Sequence, residues 1–448
     1  MKKTILYKGL LLSLLATTMF AGCKNEEDDL WDQSAAERLN ESVKTFKSRF
    51  ASSPGGWVME YYPTNATTAP KGNGYLILAE IKADGSVRMA MRNDLTGGSY
   101  REDDSEWEII KDTGPVLSFS TYNSCIHTFC DPGIYDLGNG YEGDYEFVII
   151  DMEENAQIGF IKGKKSGAYI RMIRLDEGTD YRAYLDEVIS FQDKYFPAEA
   201  PNKLVLNLNG EKKYLEESYT TIPNIYPVGG DPINDEYRAP FIISKRDGKM
   251  FLRFRTALNV KGENDKAQEF VWDEANGIFN GVDNPSCTLG GEAPAEFFLN
   301  TAQTYGHWQW SSTSEASEDI KDIIAQIGTE FKGISTSKQK YTFNNMQFKS
   351  VDKQLQLVLN YKLGNATSSV AYLFDGKLLD NGNVKLTYKE PLTDAASKFI
   401  EFIPSIKKMI DVLNNEVVVT SNGNNFVLDK VRIHPAGSES IWLTITLN

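Results

Sequence analysis

From residue 56 to residue 175 the chain reads as eight short strands in succession, near 56–62, 74–81, 85–92, 99–110, 115–122, 144–151, 156–162 and 168–175. The connections carry turn chemistry: KADGS at 82–86, EENAQ at 153–157 and GKKSG at 163–167 supply the Gly, Asn and Asp that tight reversals need. Eight strands joined mostly by hairpins suit an up-and-down barrel or a strongly curled antiparallel sheet. The expected fold is mainly β with a few helices, a β-rich α+β chain.

Helices frame this region. SAAERLNESVKTFKSRF opens with a capping box, Ser34 with Glu37 three residues on, and places Leu39, Val43, Phe46 and Phe50 at helical spacing. TDYRAYLDEVISFQDKYFP, 179–197, reads as a second helix closed by Pro197. Strands resume near 203–208, 240–246, 249–258, 268–273, 341–348, 354–361, 369–374, 383–388, 416–420, 425–433 and 441–447, interrupted by helices near 317–331 and 393–413. Pro404 either kinks the last helix or starts a second piece. The expected organisation is a leader at 1–22, a tether at 23–33, a capped helix with a barrel-like domain at 34–176, a linking helix at 177–200 and a β-rich domain at 201–448. Gly56 and Trp57 resemble the Gly-x-Trp opening of lipocalin-like barrels, where the indole plugs one end; a plain core tryptophan is the alternative.

Lys2, Lys3 and Lys8 form a basic start, residues 9–20 a short apolar run, and FAGC ends it. The run is shorter than the roughly 20 residues a membrane-spanning helix needs and has the size of a secretory core. FAGC resembles a bacterial lipobox, with small Ala21 and Gly22 before an acylatable Cys23; a plain signal peptide cut near Ala21 is the alternative. KNEEDD then forms a charged tether similar to the surface-export signal of Bacteroidetes-type lipoproteins, although any solvated linker has this composition. Expected is an outer-membrane lipoprotein held by lipid on Cys23, facing outward, with the periplasmic face as alternative. Without residues 1–22 the chain has 44 Lys+Arg against 62 Asp+Glu, a net charge of −18. So acidic a chain, lacking a basic stripe, excludes nucleic acid as the expected partner.

Three stretches carry a family likeness: GWVMEYYP after the capped helix, TYNSCIHTFCDPG in mid-domain, and GDYEFVIIDMEENAQIGFIKGKKSGAYIRMIRL. The sequence resembles the lipoprotein family of unknown function DUF4302, most closely over residues 34–175. The resemblance implies an accessory lipoprotein beside outer-membrane importers of the SusC/SusD type, and brings no activity with it. Tyr122, Asn123, His127, Asp131 and Pro132 match the recurring part of the middle motif, while Cys125 and Cys130 look like additions of this chain.

CIHTFCDPG, 125–133, packs Cys125, His127, Cys130 and Asp131 into seven positions. An exported protein permits a cystine between Cys125 and Cys130 if the chain turns between them; unpaired thiols, a metal site and a nucleophile are the alternatives. No second ligand pair exists, so no metal is expected, and His127 reads first as a hydrogen-bonded packing residue. GNGYEG at 138–143 spells a dinucleotide fingerprint but precedes a strand rather than a helix, so no cofactor is expected. YGHWQW, 305–310, places Trp308 and Trp310 on one face and Tyr305, His307 and Gln309 on the other if extended. Adjacent indoles stack on sugar rings or flat ligands, or fill a β core.

These readings favour a non-enzymatic accessory to nutrient import, binding a glycan, a peptide or an importer component. Trp308, Trp310, Tyr305, His307, His127 and Asp131 are its candidate binding residues. The alternatives are an envelope hydrolase with a carboxylate pair between domains, and an adhesion or assembly module.

Overall fold

The computed structural model describes residues 33–64, 73–134, 140–197, 203–208, 210–217, 224–227, 239–259, 266–304, 307–351 and 354–448. The leader, Cys23 and nearly all of the tether lie outside the described residues. The fold is mainly β, and its strands close into three eight-stranded barrels.

The first barrel contains β1 (Trp57–Tyr62), β2 (Tyr75–Ile81), β3 (Ser86–Met91), β4 (Arg101–Lys111), β5 (Pro115–Phe119), β6 (Glu146–Met152), β7 (Ile158–Gly163) and β8 (Tyr169–Arg174). Each pairs antiparallel with the next, and β8 returns to β1 with Trp57 opposite Arg174. Alternation sends Trp57, Met59 and Tyr61 inward, where they meet Ile77, Met89, Phe119, Phe147 and Ile170 in one core. Both mouths are stoppered. Helix α1 (Ala35–Phe50), started by the Ser34/Glu37 capping box, lays Val43, Phe46 and Phe50 across one mouth. Trp57 donates its indole N–H to the Phe50 carbonyl at 2.8 Å, and so ties helix to barrel. The long β5–β6 connection stoppers the other mouth with Cys125, Ile126 and Phe129.

The stretch read from sequence as one β-rich domain carries two barrels. The second contains β9 (Lys203–Leu208), β10 (Glu211–Glu217), β11 (Asn224–Pro227), β12 (Ala239–Arg246), β13 (Lys249–Asn259), β14 (Lys266–Asp273), β15 (Ile278–Gly281) and β16 (Cys287–Gly291). It closes β16 onto β9, with Cys287 opposite Leu208. The third contains β17 (His307–Trp310), β18 (Tyr341–Val351), β19 (Gln354–Leu363), β20 (Ala366–Leu378), β21 (Val384–Pro391), β22 (Glu416–Ser421), β23 (Lys430–Pro435) and β24 (Leu443–Leu447). It closes β24 onto β17, with Trp308 opposite Leu447.

Helix α2 (Tyr181–Tyr195) follows the first barrel and α3 (Pro294–Thr304) follows the second. Helix α4 (Glu318–Gly333) lies between β17 and β18, and α5 (Asp394–Phe402) and α6 (Pro404–Leu413) lie between β21 and β22. Pro404 starts a second piece rather than bending one helix; it occupies the first turn of α6, where its missing N–H costs nothing.

The first two barrels are pressed together through α2. Val58, Leu78, Ala90 and Ile173, on the outer wall of the first barrel, share a core with Leu185 and Val188 of α2 and with Phe241, Leu252 and Phe270 of the second. Strand β1 is therefore buried on both faces. Phe426, in the third barrel's β22–β23 connection, joins the aromatic cluster of the second, 5.5 Å from Phe196 and 5.8 Å from Trp272 between ring centres.

Candidate functional site

The connection from β5 to β6 is organised by Asn123, which is wholly buried. Its side-chain oxygen accepts the Cys125 N–H at 2.9 Å, and its amide donates to Asp103 O and Ser105 Oγ, both at 3.1 Å. Its carbonyl accepts the N–H groups of Ile126 and His127. The chain therefore reverses at Asn123 and runs into one turn of 3-10 helix, His127–Cys130. Phe129 enters the barrel edge-on to Tyr61, 5.0 Å between ring centres.

The expected cystine is absent: Cys125, Cys130 and Cys287 are all free. Cys125 Sγ lies 3.6 Å from Met89 O inside the barrel, whereas Cys130 Sγ turns back to Ile126 O at 4.0 Å. A turn of 3-10 helix begins only at His127, after Cys125, and the two sulfurs lie against different carbonyls. Burial pushes both thiols up to about 12, aided by Asp103 beside Cys125 and Asp144 beside Cys130. Reactive cysteines have the opposite shift.

His127 Nδ1 lies 3.0 Å from the Asn123 N–H and 3.3 Å from the Asn123 carbonyl. The shorter contact, with Nδ1 accepting, assigns the proton to Nε2. Burial lowers the imidazole below its ordinary value of 6.5, partly opposed by Asn123, so the ring is neutral at physiological pH. Nε2 has no hydrogen-bond partner among the described residues.

Two tyrosine rings pack against the imidazole. Tyr145 stacks on it at 4.8 Å and 24°, and Tyr122 lies against it at 5.3 Å and 34°. Tyr122 is 67% exposed and Tyr145 44%. An outward-facing Tyr122–His127–Tyr145 stack thus sits over the mouth opposite α1. Asp131 stays outside it and closes the adjoining turn by accepting the Gly133 N–H at 2.8 Å. The motif reading reaches Tyr122 and His127 but misses Tyr145. That residue stands eighteen positions beyond His127, just ahead of β6, and nothing local in the sequence signals the approach.

The tryptophan pair takes the other option. Trp308 is fully buried and Trp310 nearly so. Trp308 packs on Phe298 of α3 and donates to Thr301 Oγ1 at 2.7 Å. Trp310 stacks on Phe343, and its N–H is buried without a partner among the described residues. Neither offers a face to ligand. His307 is half-buried on the opposite side of β17, and Tyr305 lies outside the described residues.

A cleft of about 840 Å³ separates the first two barrels beside the start of α2, lined by Asp176, Glu177, Glu187 and Asp247 with Glu269 among others. Behind it runs a buried ionic chain. Arg171 grips Glu60 through Nε at 2.9 Å and Nη2 at 3.1 Å, and reaches Glu269 at 2.5 Å. Arg246 meets Glu269 at 3.0 Å, and Ser244 donates to Glu60 at 2.9 Å. Burial works to raise the Glu269 pKa, but the bonds to Arg171 and Arg246 outweigh it and hold the carboxyl below its ordinary range. A glycosidase acid needs the reverse shift.

A family model described as a domain of unknown function, DUF4302, matches residues 27–274, which is more than half of the chain. No curated protein matches.

Proposed function

The chain belongs to the DUF4302 family, whose description assigns no function, and from that premise we propose that it is a lipid-anchored, non-enzymatic binding protein on the outer face of an outer membrane. In this reading it serves an importer of the SusC/SusD type and binds a glycan or peptide nutrient. The observation that carries the reading is the placement of the Tyr122–His127–Tyr145 stack. Acylation at Cys23 leaves a tether of ten residues before Ser34, which reaches about 35 Å when extended. That tether leads into α1 at one mouth of the first barrel, and the stack lies at the other, a strand length of about 20 Å away. An anchored molecule then turns its exposed rings toward the medium. The unactivated thiols and the depressed Glu269 agree with binding rather than chemistry.

Palmitate labelling of the full chain, surface proteolysis of intact cells and co-purification from detergent test the proposal together. Expected are a labelled, protease-sensitive protein that brings a porin-like partner with it, and a Cys23→Ala variant that loses both the label and the membrane fraction. An unlabelled native protein recovered in the soluble fraction sinks the reading. The carboxylate-lined cleft gives the hydrolase alternative its place; turnover in a glycoside screen that disappears in Asp247→Asn or Glu177→Gln favours that alternative.

A further inference from the structure

We propose that the outer faces of Tyr122 and Tyr145 form a binding subsite for a neutral carbohydrate, with His127 Nε2–H and the two phenols directed at its hydroxyls. The inference deepens the binding role given above and rests on it for its biological setting alone.

Rigidity is the first argument. Exposed tyrosines usually pay an ordering cost when a ligand arrives, and these are already fixed. Asn123 is clamped on all sides. Ser124 donates its N–H to Asp103 Oδ2 at 2.7 Å, and Thr128 Oγ1 donates to the Ser124 carbonyl at 2.7 Å. The Tyr145 carbonyl accepts the Phe119 N–H at 3.1 Å where the barrel strands end. The rings therefore stand on a base tied into β4 and β5.

Chemistry is the second. The imidazole lies against one side of each phenol, and the rest of each ring is apolar area that the protein leaves to solvent. A pyranose matches such a face with its C–H side and places hydroxyls at the rim, where an N–H and two O–H groups lie. Charge selects among sugars. Asp103 and Asp131 lie in or against this loop, Glu146 after Tyr145 is paired with Lys164 at 3.2 Å, and Arg101 is turned to the carbonyls of Leu95 and Ser124. The two aspartates disfavour a uronate or phosphate here. They do not disfavour a neutral glycan, and carboxylates accept its hydroxyls.

The test uses the detergent-solubilised full chain in native gels containing amylopectin, xyloglucan or galactomannan, with alginate as the anionic comparator. Expected is retardation by at least one neutral polymer and weaker retardation by alginate. Tyr122→Ala and Tyr145→Ala should each weaken the effect about tenfold, while Phe402→Ala, an exposed ring on α5, leaves it unchanged. The proposal is overturned if none of the neutral polymers slows the wild type, or if both tyrosine variants run as the wild type does. Calorimetry with a casein hydrolysate separates the alternatives: heat lost in the tyrosine variants, without glycan retardation, assigns the surface to peptide and leaves the anchored role standing. Glycan retardation by a protein that takes up no palmitate does the opposite.

Discussion

At the scale of the residue, buried side chains here are defined by where their polar atoms go. Trp308 buries its ring and satisfies its N–H on Thr301. Trp308→Phe is expected to cost about 1 kcal/mol for the lost bond, and Trp308→Ala about 3–5 kcal/mol for the cavity. Urea unfolding measures both, and neither should change ligand retention. Alternation in YGHWQW correctly puts both indoles on one face, but alternation alone does not say which face is the core. The thiols give a second case. Iodoacetamide should leave Cys125 and Cys287 unmodified in the folded protein, since both are buried and burial pushes them up to about 12 and about 11. Denaturation without reductant should then expose Cys125, Cys130 and Cys287 to alkylation. Mass spectrometry reads the result, and a cystine surviving denaturation contradicts the structure. His127 titrates in the same spirit. Its folded pKa lies below 6.5, so its contribution to stability is complete above that value and declines as pH falls toward the folded value. An NMR titration midpoint above 6.5 would contradict the neutral ring.

At the scale of the element, a helix followed by a Gly-x-Trp strand recurs. Trp57 of Gly55-Gly56-Trp57 stands on the first strand of the first barrel, and Trp308 of Gly306-His307-Trp308 on the first strand of the third. In each the indole N–H reaches seven residues back, to Phe50 O and to Thr301 Oγ1. The first instance was legible because a dense set of strands follows it. The second was not, because α4 separates β17 from β18 and hides the barrel opening. Short strands of the second barrel, such as β11 and β15, were also missed; four residues are too few to show a period. The β5–β6 connection is the element whose loss should be felt most locally. Asn123→Ala is expected to cost about 1–3 kcal/mol for each buried group it leaves bare. Amide hydrogen exchange should accelerate at Cys125, Ile126 and His127 while β1 and β2 stay protected. Uniform protection across the loop would refute Asn123 as its organiser.

At the scale of the whole molecule, the two leading barrels are joined by an ionic chain as well as by α2. Arg171→Met strands Glu60 in a buried, uncompensated state and is expected to cost about 3–5 kcal/mol. Pairing it with Glu60→Leu should recover much of that loss, and thermal unfolding of the single and double variants decides. The folded pKa of Glu269 is below its ordinary 4.5, so its stabilisation is complete above 4.5 and is lost as pH falls through the folded value. Hydrogen exchange across β8 and β12 should therefore rise on the acid side before that of the third barrel's strands. The sequence locates the strands of the first barrel, yet the count of three barrels depends on which strands close, and closure is set by partners far apart in sequence. The family match itself ends at 274, after β14 and before the two strands that complete the second ring.

The seat of Phe426 among Tyr195, Phe196, Trp272 and Phe279 also sets an order of assembly. The first barrel has all its strands by Arg174, whereas the second lacks one ring of its aromatic cluster until residue 426 is present. A nascent or truncated product therefore displays a sticky aromatic hollow in its middle. A chain stopped anywhere before residue 426 should accordingly bind a holding chaperone and be degraded faster than the full chain, which a pulse-chase experiment reads.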